Sequence, residues 1–187
     1  IRDPHFGDWG LQMGLLIAAI GESRPDLPYF PEPVPPELPA SSPVTLDDLQ
    51  RLYPEAAARA QVDDAFAERA RRATVAHQQG HPGYPAPWRH TKRVSLESQR
   101  RDFADLGVEF DLWYGESDVA DRIPAVVERF REAGLAVESE GALVVPVAEP
   151  GDSREWPPLI LETSVGGYLY STTDLATIDF RVAELGA

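Results

Sequence analysis

The sequence predicts an α/β fold, on three observations. Apolar residues recur at helical spacing between residues 8 and 106, as in Leu46, Leu49 and Tyr53. After Gly107 the period drops to two, with Val108, Phe110 and Leu112 alternating with Glu109, Asp111 and Trp113, which is a strand signal. The chain then closes on a strand–turn–helix unit: Tyr168–Tyr170 as a brief strand, Ser171-Thr172-Thr173, and a helix opening at Asp174.

Residues 8–20 read as a buried helix, with Asp8 as N-cap, Gly21 as stop, and Leu11, Met13, Leu15, Leu16, Ile17 and Ile20 spread around its circumference. Gly10 and Gly14 lie four apart, where a missing Cβ admits another backbone or a ligand. Eight prolines between Glu22 and Pro43 forbid helix and predict an extended connector. Thr45 with Asp48 three residues on marks a capped helix start. Pro54 is expected to open a second helix running to about Gln79, and a third spans roughly Trp88 to Leu106. Beyond Gly115–Asp118 a helix carries Ile123, Val126, Val127 and Phe130, closed by Gly134. Residues 135–138 and 142–147 read as a β-hairpin through Ser139-Glu140-Gly141. Leu159–Leu161 is a short strand, Val165-Gly166-Gly167 a turn, and the last helix spaces Leu175, Ile178, Val182 and Leu185 by three, four and three.

Composition narrows the function classes. The 187 residues suffice for one domain with a sizeable core, or a core carrying insertions. Hydrophobic residues are 43% and charged residues 26%, as in ordinary globular domains. A formal net charge of −14 repels phosphates, so weak or no nucleic-acid binding is expected of this chain, while cationic small molecules are attracted. There is no cysteine, which removes disulfides, thiolate catalysis and Cys-based zinc sites. No apolar run approaches the roughly 18 residues of a membrane span, and no secretion signal opens the chain. A cytoplasmic, non-membrane protein is expected. Because the chain begins at Ile1 rather than Met, it is expected to be cut from something longer.

The chemistry-bearing residues concentrate at the two ends. A carboxylate at Asp174, at a sheet-to-helix junction beside the Tyr170 phenol, is suited to a planar guanidinium: the carboxylate takes two parallel N–H bonds, and the ring adds an oxygen or a cation–π face. Asp in a first helical turn is also a common dipole partner with no further role. The segment Gly166-Gly-Tyr-Leu-Tyr-Ser-Thr-Thr-Asp174 resembles Gly-Gly-Tyr-Leu-Tyr-x-Thr-x-Asp of the arginyl-tRNA synthetases, class I aminoacyl-tRNA synthetases. Pro4-His-Phe-Gly-Asp-Trp-Gly-Leu-Gln-Met-Gly14 is similar to the stretch after that family's first ATP-binding motif, with Pro4 where the family usually has Asn. Val108–Ser117 and Gly134–Ala142 resemble its middle region in the same order, so the likeness spans nearly the whole chain except the Pro-rich connector.

The resemblance implies a Rossmann-type core interrupted by insertions. It divides the chain into a core segment 1–21, the connector 22–44, a helical insertion 45–106, a core strand and turn 107–118, a helix and β-hairpin insertion 119–165, and a core strand–helix unit 166–187. It implies that Tyr170 and Asp174 bind arginine, and that His5, Asp8, Trp9 and Gln12 support the pocket, where packing is an equal reading for Trp9 and Gln12. It implies a longer arginine–tRNA ligase that uses ATP with Mg2+ and takes arginine and its tRNA as substrates.

The family's His-x-Gly-His and Lys-Met-Ser-Lys-Ser motifs are absent: no histidine starts the first, and Lys92 and Met13 are the single lysine and methionine. No catalytic residue and no bound cofactor are therefore expected in this piece, which reads as an internal fragment, inactive alone. The alternatives are a non-catalytic arginine-binding or protein-interaction module that kept the pocket, and a plain helical scaffold. His77-Gln-Gln-Gly-His81 has zinc-binding spacing, but Gly80 and Pro82 break a helix there, so the pair reads as solvated loop histidines and no metal site is assigned. Asp47-Asp48 and Asp63-Asp64 read as surface charge.

Overall fold

A computed structural model describes residues 1–39, 42–149, 151–154 and 156–187. Residues 40 and 41 of the connector, and 150 and 155 of the 119–165 segment, lie outside the described residues. The α/β composition holds. The chain forms two compact units: Ile1–Pro4 with Leu11–Trp113, and His5–Gly10 with Tyr114–Ala187.

The first unit is helical, with α1 Leu11–Ser23, α2 Leu46–Ala60, α3 Asp64–Gln78 and α4 Pro85–Asp105. The predicted first helix is displaced: Asp8 lies before it and Gly21 inside it, and Pro25 bars further continuation. Gly10 is outside the helix, whereas Gly14 is where α1 meets α3. A Cβ there would lie 2.0 Å from Thr74 Oγ1 and 2.2 Å from the Ala70 carbonyl oxygen, so only glycine fits.

The predicted start of α2 is a capping box: the Asp48 N–H donates to Thr45 Oγ1 (3.2 Å) and the Thr45 N–H to Asp48 Oδ2 (2.9 Å). Pro54 does not open a helix but sits inside α2, and the break comes at residues 61–63. There the Asp63 carboxylate accepts from the Phe66 N–H (2.9 Å) and caps α3. Asp48 and Asp63 are thus helix caps rather than idle surface charge.

The connector is not simply extended. It folds through short turns and drops Leu27, Tyr29 and Val44 into a core with Leu16, Ile20, Leu49 and Ala86, because those apolar side chains have a helix face to cover. A second cluster joins Leu15, Ala56, Phe66 and Ala70. His77 is buried at the end of α3 beside the Trp88 ring, not solvated, and His81 reaches Glu32 (2.9 Å) instead of turning towards it.

Residues 108–113 form no strand, against expectation. Alternation alone does not make a strand without a ladder partner. What pairs here is a pair of N–H groups, on Asp111 and Leu112, both donating to the Arg2 carbonyl (2.9 and 3.1 Å).

The second unit contains two 3₁₀ turns (Glu116–Asp118 and Ala120–Arg122), α5 Ile123–Glu132, and a sheet of β1 Val137–Ser139, β2 Ala142–Val145 and β3 Leu159–Glu162, followed by α6 Tyr170–Leu185. The strands run antiparallel in the order β1-β2-β3. The predicted hairpin is present, turning at Glu140 and Gly141, both with positive φ (52° and 79°), as a tight two-residue turn requires. Its core joins Val119, Ile123, Val126, Val127, Leu143, Leu161 and Ala176.

Tyr168–Tyr170 is not a strand. The helix starts at Tyr170, four residues before the expected Asp174. Its buried face is Thr172, Thr173, Ala176 and Thr177, whereas Ile178 and Val182 of the apolar spacing are 58% and 59% exposed. The buried threonine hydroxyls are satisfied: Thr172 Oγ1 donates to the Leu161 carbonyl of β3 (2.7 Å), while Thr173 and Thr177 donate to the Tyr170 and Thr173 carbonyls of α6 itself (2.8 Å each), and Ser171 Oγ donates to the Ile160 carbonyl of β3 (3.0 Å).

Candidate functional site

Within the second unit, residues 5–10 lie beside residues 114–117. The Phe6 N–H donates to the Tyr114 carbonyl (3.0 Å) and the Glu116 N–H to that of Phe6 (2.9 Å), a parallel bridge of Phe6 with Gly115. Two buried carboxylates then cross over. Asp8, 6% exposed, accepts from the Ser117 N–H (2.9 Å) and from Ser117 Oγ (2.7 Å). Glu116, 5% exposed, accepts from the Trp9 N–H (3.1 Å). Gly115 permits this: a Cβ there would sit 2.8 Å from Asp8 Oδ1. Asp8 is thus a junction between segments rather than the helix cap its sequence position suggests.

Helix α6 closes over these groups. Thr173 Oγ1 donates to the Tyr170 carbonyl (2.8 Å) and lies 3.3 Å from Glu116 Oε1. Thr177 Oγ1 gives its hydrogen to the Thr173 carbonyl (2.8 Å), so its lone pairs receive His5 Nε2–H at 3.1 Å. That assigns the His5 proton to Nε2 and leaves Nδ1 buried without a hydrogen-bond partner. His5 also holds a left-handed backbone, φ 47°. Trp9 stacks on Tyr168 with centroids 6.3 Å apart. Burial pushes the Glu116 carboxyl above the usual carboxylate range, and the neighbouring Asp8 adds to this. The Trp9 N–H, the Thr173 hydroxyl and His5 pull the other way without cancelling it.

Tyr170 and Asp174 stand one helical turn apart on α6, both exposed, Tyr170 at 70%. Neither the phenol nor the carboxylate has a hydrogen-bond partner among the described residues. The pair therefore presents a free oxygen and a free anion on a rigid helix, while Asp174 lies too far along it to be a helix-start anion. The structure brings His5, Asp8 and Trp9 together around Glu116, Ser117 and the buried face of α6. Gln12 belongs to the other unit, in the first turn of α1.

The family model described as tRNA synthetases class I (R), catalytic domain, matches residues 1–187. The chain belongs to that family. Arginine–tRNA ligases of Maricaulis maris and Hyphomonas neptunium are each 52% identical to it, over 95% and 98% of this chain and 30% and 31% of their own. One from Agathobacter rectalis is 46% identical over 98% of the chain and 31% of its own. The chain thus spans about 30% of the length of these relatives. An arginyl-tRNA synthetase structure from Plasmodium falciparum matches all of the chain and 28% of its own, with TM-score 0.64 and 24% identity, a likeness of fold alone.

As a class I (R) synthetase catalytic domain, the chain contains residues that sequence reasoning passed over. Glu116 and Ser117 lie in the family-like stretch Val108–Ser117, yet nothing in their spacing signals that one is a buried carboxyl and the other the partner of Asp8. Thr173 and Thr177 were equally silent. Only the i, i+4 interval between them, matching a buried face, could have drawn attention. Among the described residues no group of three or more His, Cys, Asp or Glu is placed to hold a metal ion, and no helix is long and apolar enough to cross a membrane.

Proposed function

We propose that the chain is the arginine-selecting part of an arginine–tRNA ligase, with Tyr170 and Asp174 as the side chains that receive the guanidinium. The observation that carries this reading is the exposed Tyr170–Asp174 pair on α6, one turn apart and without partners, in a member of the class I (R) synthetase family. A carboxylate accepts two parallel N–H bonds from a guanidinium, and the phenol oxygen adds an acceptor from the same side. Behind them, His5, Asp8 and Trp9 set the segment on which α6 rests: His5 bonds Thr177, Asp8 bonds Ser117 and Trp9 bonds Glu116. Gln12 is retained as a pocket-support candidate on family resemblance only.

In this reading the longer protein activates arginine with ATP, forming arginyl-adenylate and releasing pyrophosphate, and passes arginine to the terminal ribose of its tRNA in the cytoplasm. ATP with Mg2+ is assigned to residues outside this chain. The described residues offer no metal-holding cluster, and neither ATP-binding motif is in the sequence. What this chain's residues do is bind and orient the amino acid.

Asp174→Ala is the test, with arginine binding followed by calorimetry on the chain and on the longer protein. Loss of a charge-assisted pair worth about 1.5–3 kcal/mol predicts roughly ten- to hundredfold weaker arginine binding. Tyr170→Phe should weaken it less. Unchanged affinity in Asp174→Ala refutes the assignment.

A further inference from the structure

Two buried carboxyl groups, those of Asp8 and Glu116, meet where residues 5–10 run beside residues 114–117. Two negative charges held near each other out of water repel, so a proton on one of them relieves both the repulsion and the burial of charge. The donors decide which group takes it. Asp8 receives two hydrogens from Ser117, from its N–H (2.9 Å) and its hydroxyl (2.7 Å), which favours the anion there. Glu116 Oε2 receives the Trp9 N–H (3.1 Å), and its other oxygen, Oε1, faces Thr173 Oγ1 at 3.3 Å.

A hydroxyl has a single hydrogen to give. That of Thr173 lies 2.8 Å from the Tyr170 carbonyl, against 3.3 Å from Glu116 Oε1. With the hydrogen committed to the nearer carbonyl, two lone-pair atoms face each other unless Oε1 carries a hydrogen of its own. With one, the groups form a directed chain, from Glu116 Oε1–H to Thr173 Oγ1 and from Thr173 Oγ1–H to the Tyr170 carbonyl. Thr177 obeys the same rule, giving its hydrogen to the Thr173 carbonyl and receiving one from His5. The charged and titratable groups that face Glu116 are Asp8 and His5, both on the 5–10 segment. Asp118, on its own turn, is directed to the Gly115 N–H (2.8 Å), and α6 meets Glu116 with the Thr173 hydroxyl. Burial and Asp8 push the Glu116 carboxyl upward, in keeping with a proton held there.

The chain of bonds ends at Tyr170, the first residue of α6, and Leu169 before it supplies no side-chain cap. Ser171 and Thr172 are tied to carbonyls of β3, whereas the Tyr170 backbone is tied by the Thr173 hydroxyl. We propose that Glu116 is a positioning residue of the arginine site: as a neutral, proton-bearing acid it donates to Thr173, which holds the Tyr170 carbonyl and with it the end of α6 that presents Tyr170 and Asp174. Loss of that proton leaves an anion that draws the Thr173 hydrogen to itself and releases the Tyr170 carbonyl. The proton assignment stands on the hydrogen-bond geometry, whereas its effect on arginine rests on the reading of Tyr170 and Asp174 above.

The test is an NMR titration of the chain with isotope-labelled glutamate carboxyls. One resonance, missing in Glu116→Gln, should titrate at higher pH than the other glutamates. In Thr173→Val it should move to lower pH, because the neutral acid loses the acceptor for its proton; Thr173→Ser, which keeps the hydroxyl, should leave it in place. No move or a move to higher pH in Thr173→Val overturns the assignment, as does a Glu116 resonance that titrates with the rest. The Tyr170 carbonyl resonance should follow the same titration in the wild type and stay flat in Glu116→Gln, whose amide donates to Thr173 at every pH. A flat wild-type response overturns the coupling. In arginine calorimetry, wild-type affinity should fall roughly two- to tenfold as Glu116 titrates, the range of one hydrogen bond, while Glu116→Gln keeps the low-pH affinity. An affinity that rises instead shows the buried charge merely attracting the cation, and refutes the positioning role. If the wild type and Glu116→Gln both fail to bind arginine, the arginine reading fails, and the carboxyl titrations still decide where the proton lies.

Discussion

Gly115→Ala probes the junction between residues 5–10 and 114–117 on which α6 rests. Gly115 has an extended backbone, φ −132° and ψ −179°, which alanine adopts freely, so the substitution carries no conformational strain. Its whole cost comes from what the new methyl meets: Asp8 Oδ1 at 2.8 Å, with Asp8 Cγ and Oδ2 at 2.9 Å. Asp8 cannot retreat without stretching its bonds from Ser117 N (2.9 Å) and Oγ (2.7 Å). Overpacking of this kind costs about 1–3 kcal/mol, and a lost hydrogen bond to a charged group about 1.5–3 kcal/mol. With one such bond partly given up, the expected destabilisation is roughly 2–5 kcal/mol.

The assay is urea unfolding followed by both tryptophan fluorescence and circular dichroism, compared by midpoint and slope. A double-mutant cycle isolates the cause. Asp8→Ala is itself destabilising, because two Ser117 donors lose their acceptor. It also removes the atoms that the Gly115→Ala methyl would strike. In that background Gly115→Ala should cost less than about 1 kcal/mol, a coupling of at least about 1 kcal/mol between the two positions. A single-mutant cost below about 0.5 kcal/mol, or a cost undiminished without Asp8, refutes the close-approach reasoning.

Glu116→Gln should flatten the pH dependence of stability. The folded carboxyl titrates above its unfolded value, so the folded state holds its proton more tightly. Stability is then full below the unfolded value and falls as pH rises towards the folded one, because the unfolded chain sheds its proton first. Glutamine keeps an oxygen for the Trp9 N–H and removes the titration. Urea midpoints measured from acid to neutral pH should lose that descent, and an unchanged profile would clear Glu116 of causing it. The isolated chain should also show no arginine-dependent ATP–pyrophosphate exchange; a rate above that of a Tyr170→Phe, Asp174→Asn control would mean that ATP is handled by residues within it.

Legibility in the sequence followed the range of each interaction. Local signals held: the Thr45–Asp48 cap, the turn at Glu140-Gly141, and the helical spacing of Ile123, Val126, Val127 and Phe130 in α5. Proline was read too strictly at residue 54, where tertiary packing carries α2 through it. The strand at 108–113 failed because alternation is necessary for a half-buried strand but pairing decides it. Helix α6 misled for a different reason. Hydrophobic periodicity pointed to Leu175, Ile178 and Val182 as the inner face, yet the helix lies on its threonines, whose hydroxyls satisfy carbonyls of β3 and of α6 itself. A buried threonine face has no hydrophobic signature. Tyr170 and Asp174 became visible through family resemblance, whereas Glu116, Ser117, Thr173 and Thr177 needed coordinates, because their partners lie far away in the chain.

That distance itself has a physical answer. Trp9 and Glu116 are 107 residues apart and Asp8 and Ser117 are 109 apart. Closing a flexible loop of that length costs on the order of 4 kcal/mol beyond a constant, by the logarithmic law. Three hydrogen bonds to carboxylates, at about 1.5–3 kcal/mol each, offset that cost only if the carboxylates are already desolvated and aligned. The first unit removes much of the difficulty: its own fold holds Arg2 against Asp111 and Leu112 through three short hydrogen bonds. With residues 2 and 111 joined, residues 8 and 117 are linked by only a few residues on either side, and closure becomes local. The reciprocal exchange, in which Asp8 takes donors from Ser117 and Glu116 takes one from Trp9, then sets register rather than supplying the closure energy. This division of labour explains how a proline-rich, helical stretch of about a hundred residues can separate the two segments of one compact unit.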